Sequence, residues 1–110
     1  MPSPADVRYA VVTGGDGKPK SRFVLVVSKP IPGTQNVFLL TFSSKIHNAR
    51  PDDVLITAPS ELLQAGLTTP CYVSTNFILT LGASDITDLR GTLVKNKFEL
   101  VMAKVKAHLG

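Results

Sequence analysis

The sequence has one cysteine and no tryptophan, and no apolar run approaches the length of a membrane span. A single cysteine cannot close an internal disulfide, which predicts a reducing compartment, the cytoplasm. A membrane-spanning helix needs about 20 consecutive apolar residues, so no membrane partner is predicted. The opening residues, MPSPADV, have neither the basic start nor the apolar core of a secretory signal.

Residues that hold metals or cofactors are few and scattered. His47, His108 and Cys71 lie on unrelated segments, without the C-x-x-C or H-x-x-x-H spacing of a metal site. The GGDG stretch at 14–17 lacks the lysine-threonine pair and the following helix of a phosphate-binding loop. No metal and no cofactor are therefore predicted. Cys71 precedes a strand-like segment, which is typical of a small buried thiol.

What the chain does have is enough apolar sequence for one core. Its 110 residues are 44% hydrophobic, with a mean hydropathy of +0.19, which predicts a single folded domain over residues 1–110. Residues 1–50 contain seven Lys and Arg against two acids, a net charge of +5. Residues 51–94 carry −4 and residues 95–110 carry +3, so the whole chain carries +4. A basic first half favours a polyanionic partner.

Runs of alternating or continuous apolar residues predict five or six short strands. The predicted strands cover residues 7–13, 22–28, 36–42, 53–57, 71–81 and, at the end, 91–94.

Three helical segments are predicted beside these strands. A short helix within residues 58–66 is expected to begin with Ser60 as its cap and to end at Gly66. A helical turn is expected at 84–91. The C-terminal helix is expected to begin with a capping pair, Asn96 and Glu99. Its apolar side consists of Phe98, Val101, Met102, Val105 and Leu109. The fold class is therefore α+β and mainly β, a small barrel or strongly bent sheet closed by an amphipathic helix.

Two groups of cationic and hydroxyl side chains flank the second and third predicted strands. Before the second strand lie Lys18, Lys20 and Arg22, and at the end of the third lie Thr41, Ser43, Ser44, Lys45 and His47. If the two strands pair antiparallel, Arg22 comes near Ser43 and Ser44. A guanidinium beside a hydroxyl suits the oxygens of a phosphate group. The alternative is a solvated hairpin end with ordinary surface charges.

Five weak motifs in order resemble the MazF/PemK (Kid) toxins of bacterial toxin–antitoxin pairs. ADV at 5–7 resembles the Gly-Asp-Ile/Val that opens the first strand in that family. DGKPKSRFVLVVS at 16–28 resembles its K-R-P strand segment, and FSSK at 42–45 its i-T-S-k segment. AGLTTPCYV at 65–73 resembles a-G-L-x-x-P-S-y-V, and RGTLV at 90–94 resembles the i-G-x-L before the closing helix.

The resemblance implies an SH3-like β-barrel of five to seven short strands with a C-terminal helix, usually as a homodimer. It also implies a metal-independent endoribonuclease that cuts single-stranded RNA and is blocked by a cognate acidic antitoxin. Arg22 takes the place of the catalytic arginine of the family, and Ser43 that of the second catalytic residue, a threonine. Lys18 and Lys20 lie on the loop that gates the RNA groove, and Ser44, Lys45 and His47 are expected to contact RNA. Asp6 fills an early acidic position with a structural role.

The chain departs from the family pattern at three of these positions. Phe23 replaces the proline after the arginine, Ser43 replaces the threonine, and Cys71 stands where serine is common. Thr41, two residues before Ser43 on the same strand face, is the alternative functional hydroxyl. The departures keep open a catalytically weakened barrel that binds RNA or protein, for example a gyrase-inhibiting toxin of the CcdB type. That type relies on a C-terminal Trp-Gly-Ile, whereas this chain ends His-Leu-Gly.

Overall fold

The computed structural model describes residues 2–13 and 16–110. Gly14 and Gly15, which belong to the predicted glycine loop, lie outside the described residues. Within the described residues the chain forms seven strands and two α-helices. The strands are β1 (Asp6–Thr13), β2 (Pro19–Val26), β3 (Asn36–Ser43), β4 (Val54–Ile56), β5 (Cys71–Val73), β6 (Leu79–Gly82) and β7 (Ile86–Thr92). The helices are α1 (Pro59–Ala65) and α2 (Lys95–Leu109).

The strands form one strongly bent antiparallel sheet in the order β4-β5-β3-β2-β1-β7, with β6 also paired to β3. This confirms the mainly β fold class with a C-terminal helix. Neither α1 nor α2, in the described part of the chain, is long and apolar enough to cross a membrane.

The second half of β2, residues 24–26, is buried on both faces of the sheet, which explains why its sequence is apolar at every position. Leu25 and Leu40 point into a core closed by α2, where Val101 and Val105 are buried. Val24 and Val26 alternate with Leu25 and point into a second core on the other face of the sheet. The rest of the second core is Ala10, Val12, Val37, Leu39 and Ile86.

The start of β2 differs from the sequence prediction. β2 begins at Pro19, opposite Thr13 of β1, rather than at residue 22. A proline is tolerated as the first residue of a strand because its missing N–H is needed only inside the ladder. Arg22 therefore lies in the interior of β2, opposite Ala10, and not at the start of the strand.

The predicted long strand at 71–81 is wrong, because it is divided into β5 and β6. Both pieces pair with the same strand, β3, at its opposite ends. Between them, Thr75 donates its N–H to Asp53 Oδ1 at 3.3 Å and its hydroxyl to the Asp52 carbonyl at 2.8 Å. These bonds to the turn before β4 replace the ladder and bend the chain.

The predicted helical turn at 84–91 is also wrong. Only Ala83–Asp85 is helical, as a 3-10 turn, and the segment continues as β7 along β1. Tertiary pairing therefore overrides the local signal. β7 ends at Thr92, so the predicted last strand at 91–94 is a part of this longer strand.

Both predicted helix caps are wrong, although both helices exist. Pro59 is the first residue of α1, which leaves Ala58 as the cap and Ser60 inside the first turn. Gly66 ends α1 with a left-handed φ of 71°, as predicted. α2 begins at Lys95, so Asn96 lies inside its first turn and accepts the N–H of Lys97.

Candidate active site

The ends of β2 and β3 open into a cavity of about 370 Å³, which we name the Arg22 cavity. Strands β1, β2 and β3 supply one part of its wall, and the segment from α1 to β5 supplies the other. Its lining residues are Tyr9, Ser21, Arg22, Phe23, Phe42, Ser43, Ser44, Lys45, Leu67, Thr68, Thr69 and Cys71.

The pairing of β2 with β3 brings Arg22 and Ser43 together. The strands are antiparallel, as predicted, with Val24 opposite Thr41 and Val26 opposite Leu39. Arg22 and Ser43 each lie two positions beyond the last pair, Val24 and Thr41, so each projects from the same face of the sheet as that pair. Opposite residues of an antiparallel pair project from the same face of the sheet with neighbouring Cβ atoms. The two side chains therefore line one cavity.

Arg22 is half-buried, and its guanidinium forms no hydrogen bond or ion pair with residues 2–13 or 16–110. Arg8, by contrast, donates from Nε to Asp6 Oδ2 at 3.0 Å. Asp6 also accepts the N–H of Ser3, so its carboxylate holds the turn that precedes β1. The guanidinium of Arg22 is thus available to a ligand, whereas that of Arg8 is used by the fold.

Ser43 and its two successors supply hydroxyl groups and a cation to the cavity at the end of β3, on the same part of the wall as Arg22. Ser43 Oγ accepts the N–H of Lys45 at 3.2 Å, which leaves its own proton free to donate. Ser43 is half-buried, and Ser44 and Lys45 are exposed. The structure brings together four of the predicted site residues in this cavity, namely Arg22, Ser43, Ser44 and Lys45.

The other four predicted residues lie outside the cavity lining. Thr41 is two residues before Ser43 on β3 and is half-buried beside Val24. Lys18 and Lys20 are exposed at the start of β2, with Lys20 Nζ 3.9 Å from a carboxylate oxygen of Asp16. His47 is exposed on a 3-10 turn at Ile46–Asn48. Contact of Lys18, Lys20 and His47 with RNA stays a prediction, as does the role of Thr41 as the alternative functional hydroxyl.

An aromatic wall, which no local sequence pattern predicts, also lines the Arg22 cavity. The rings of Tyr9 and Phe23 stack with their centroids 4.7 Å apart and an angle of 29° between their planes. Arg90 on β7 lies over the Phe23 ring, with Cζ 5.9 Å from the centroid. Phe23, which replaces the proline of the family pattern, is therefore fixed by two neighbours. The contact cannot be read from the sequence alone, because it depends on the register that sets Tyr9 of β1 opposite Phe23 of β2.

Cys71, the first residue of β5, is one of the residues that line the Arg22 cavity. Its side chain is buried, as predicted, and burial raises the pKa of the thiol from 9.0 to about 11. The thiol is therefore protonated at neutral pH and is a poor nucleophile.

We expect iodoacetamide to label Cys71 slowly in the folded protein. A pKa raised from 9.0 to about 11 reduces the thiolate fraction at pH 8 by roughly 100-fold relative to the unfolded chain. Mass spectrometry of the native and urea-unfolded protein checks this ratio. Because folding favours the protonated thiol, the same shift also predicts that the free energy of unfolding falls as the pH rises from 9 to 11. Equal labelling rates in the two states would contradict the burial of this thiol.

No three His, Cys, Asp or Glu side chains converge as a metal-binding group within residues 2–13 and 16–110.

Comparisons with known proteins agree with the architecture of the chain. Residues 4–109 match the model of a family described as PemK-like, MazF-like toxin of type II toxin–antitoxin system. A comparison with curated protein sequences gave no significant match.

Solved structures of similar fold include three toxins. One is an endoribonuclease in complex with its cognate antitoxin from a mycobacterial species, with 21% identity, a TM-score of 0.76, and coverage of 100% of this chain and 96% of the other. The Mycobacterium tuberculosis toxin MazF-mt6 has 18% identity, a TM-score of 0.70, and coverage of 94% and 95%. A MazE-MazF complex from Deinococcus radiodurans has 18% identity, a TM-score of 0.74, and coverage of 99% and 95%.

Proposed function

Because the chain belongs to the family of PemK-like, MazF-like toxins of type II toxin–antitoxin systems, we propose that it is a metal-independent endoribonuclease. Its proposed substrate is single-stranded RNA in the cytoplasm, cut at a short recurring sequence. The observation that carries the proposal is the Arg22 cavity, which is lined both by a guanidinium that is unpaired among residues 2–13 and 16–110 and by a Ser43 hydroxyl with a free proton.

Cleavage of RNA requires no nucleophile from the protein. The 2′-hydroxyl of a ribose attacks the adjacent phosphorus, its proton passes to solvent, and the P–O5′ bond breaks. The products are a 2′,3′-cyclic phosphate and a 5′-hydroxyl, which takes up a proton. The protein has to align the attack and stabilise the charge on the non-bridging oxygens.

Arg22 and Ser43 suit that second task. A guanidinium donates two parallel hydrogen bonds to phosphate oxygens and stays charged at neutral pH. Ser43 Oγ donates a third bond from the opposite strand. Tyr9 and Phe23 offer a flat apolar surface beside the phosphate, where a base can lie.

Ser43 and Thr41 are distinguished by removing each hydroxyl. We expect Ser43→Ala to lower kcat by roughly 10²-fold, the usual cost of one donor to a developing charge. Thr41→Val, which keeps the branched shape, is the matched control and is expected to change kcat less than about threefold, because Thr41 does not line the cavity. Rates on one RNA under single-turnover conditions check this. The reverse order of effects would assign the role to Thr41.

A cognate antitoxin and a homodimer are part of the proposal. Two of the similar solved structures are toxin–antitoxin complexes. The net charge of +5 over residues 1–50 favours an acidic partner that covers the cavity and excludes RNA. Saturation with the antitoxin is expected to abolish cleavage, and an unchanged rate in the saturated complex would contradict this mode of inhibition.

The test of the proposed function is incubation of the purified protein with a long single-stranded RNA in the presence of EDTA. Primer extension then maps the new 5′ ends. Discrete cuts at one recurring short sequence support the proposal. Intact RNA after incubation with a folded protein contradicts it and favours a barrel that binds without cutting.

A further inference from the structure

Arg90 is a cation beside the Arg22 cavity that has no part in the chemistry proposed above. Its Cζ atom lies 5.9 Å from the centroid of the Phe23 ring, which is within the distance at which a guanidinium is attracted to the face of a ring. Among residues 2–13 and 16–110, no carboxylate forms an ion pair with this guanidinium. Within the described chain, its partner is therefore an aromatic ring that lines the cavity.

An irregularity in the pairing of β7 with β1 places Arg90 over that ring. Gly91 is paired with Val7, and Leu89 is paired with the next residue of β1, Arg8, so Arg90 is an extra residue between two pairs. A β-bulge of this kind re-aims one side chain of a strand and is common beside active sites. The direction of the Arg90 side chain therefore follows from the bulge.

The backbone of Arg90 is held by the end of α1. A Cβ added to Gly66 would clash with the Arg90 carbonyl oxygen and would lie 3.0 Å from Arg90 Cβ, so this close approach requires a residue without a side chain. Gly66 is followed by Leu67, Thr68 and Thr69, which line the other part of the cavity wall. Arg90 thus contacts both parts of the wall, the strands through its side chain and the segment from α1 to β5 through its backbone.

Arg22 lies on a part of β2 that pairs with a neighbouring strand on one side only. The ladder to β1 covers the start of β2 and sets Tyr9 opposite Phe23. The ladder to β3 ends at Val24. At the next position toward the start of the strand, Phe23 is held by its ring instead, because the ring stacks on Tyr9 at 4.7 Å and Arg90 lies over it. These ring contacts take the place of the missing ladder next to Arg22.

We propose that Arg90 is a positioning residue for the cleavage of RNA. Its guanidinium holds the Phe23 ring beside Tyr9, which fixes the adjoining peptide of β2 and so the direction of the Arg22 side chain. This role rests on the proposed function, since it concerns how the Arg22 guanidinium is aimed at a phosphate. Misplacement of an acting group slows the chemical step more than it weakens the binding of the substrate.

Arg90→Ala tests this role, with Lys95→Ala as the control, because Lys95 carries an equal charge on a side chain that is 91% exposed. Arg90 is itself exposed, so the variant is expected to fold. On one oligoribonucleotide, we expect Arg90→Ala to lower kcat about fivefold, the upper size of a contact between an exposed cation and a ring, and to change KM less than about twofold. Arg90→Lys, which keeps a cation over the ring, is expected to keep about half of kcat. An unchanged kcat, or an equal fall in Lys95→Ala, would overturn the positioning role.

A double-mutant cycle shows whether Arg90 acts through Phe23. Phe23→Leu keeps an apolar side chain against the core and removes the ring. If Arg90 works by holding this ring, Arg90→Ala has no further effect on kcat in the Phe23→Leu protein. An effect of Arg90→Ala that persists in that background, or that appears mainly in KM, would make Arg90 a direct contact of the RNA and would overturn its positioning role.

Nuclear magnetic resonance separates this role from the proposed function, because it requires no cleavage. The order parameters of the backbone N–H groups of Arg22 and Phe23 report how firmly this part of β2 is held on the picosecond-to-nanosecond timescale. We expect both to fall in Arg90→Ala and to be unchanged in Lys95→Ala. That result supports the contact even if the protein cuts no RNA, which would overturn only the proposed function. Equal order parameters in Arg90→Ala and the unsubstituted protein would overturn the positioning role.

Discussion

Replacing Arg22 with alanine is expected to lower the rate of RNA cleavage by roughly 10³-fold. Removal of a single neutral donor from a developing oxyanion costs about 10²- to 10³-fold, and a charged guanidinium stands at the upper end of that range. The fold is expected to survive, because the Arg22 guanidinium makes no bond to residues 2–13 or 16–110. Circular dichroism and a urea titration check the fold of the variant.

Two further variants isolate the role of Arg22. Lys29→Ala removes an equal charge at the other end of the β2 segment, where Lys29 is exposed, and is expected to change the rate less than about twofold. Arg22→Lys keeps the charge and loses the planar fork, so an intermediate rate is expected. Full activity in Arg22→Ala would remove the guanidinium from the mechanism.

Replacing Gly91 with alanine is expected to lower the free energy of unfolding by about 3 kcal/mol, a value typical of strong overpacking. Gly91 on β7 packs against the backbone at the end of α1. An added Cβ would lie 2.6 Å from Ala65 C and 2.8 Å from Gly66 N, and it would also clash with the Gln64 carbonyl oxygen. These are backbone atoms, so the clash is relieved only by moving α1 away from β7.

Gly82→Ala is the matched control for Gly91→Ala. Gly82 has a φ of −69°, which alanine adopts without strain. A Cβ added there would have a side-chain oxygen of Asp85 as its nearest neighbour, at 3.5 Å, which is an ordinary contact distance. The free energy of unfolding of the Gly82→Ala protein is expected to be unchanged or to rise by about 0.5 kcal/mol, because alanine restricts the conformations of the unfolded chain. Urea denaturation of both variants measures the difference. A Gly91→Ala protein as stable as Gly82→Ala would contradict the close packing of α1 on β7.

The fold class was predictable because the pattern of apolar residues in each segment indicates which side chains are buried. Residues 24–26 of β2 supply buried apolar side chains to both faces of the sheet, and the side chains of α2 that are buried, Val101 and Val105, repeat at helical spacing. The division at 74–78 was not predictable, because it depends on side-chain bonds from Thr75 to a turn more than 20 residues away. The strand conformation within residues 84–91 was not predictable for a similar reason, because it depends on the pairing of β7 with the distant strand β1.

The candidate site was predictable in part. Arg22 and Ser43 are adjacent because two neighbouring strands pair antiparallel, which the short connection between them indicates. The contact of Phe23 with Tyr9 and Arg90 requires the register of three strands. A second cavity, beside β5, combines residues from the segment before β4 with residues of β5 and of the loop after it, and no local pattern joins them.

In the proposed mechanism, the Arg22 cavity promotes attack by the 2′-hydroxyl of the RNA itself. The most direct test is an oligoribonucleotide that contains the recognised sequence and carries a single 2′-deoxy sugar at the nucleotide 5′ to the scissile phosphate. This mechanism predicts that the single 2′-deoxy substitution abolishes cleavage, although the protein still binds the substituted RNA. The all-ribose control is expected to be cut and to leave a 2′,3′-cyclic phosphate end. Cleavage of the deoxy-substituted strand at the same bond would contradict it, because another nucleophile would then be at work.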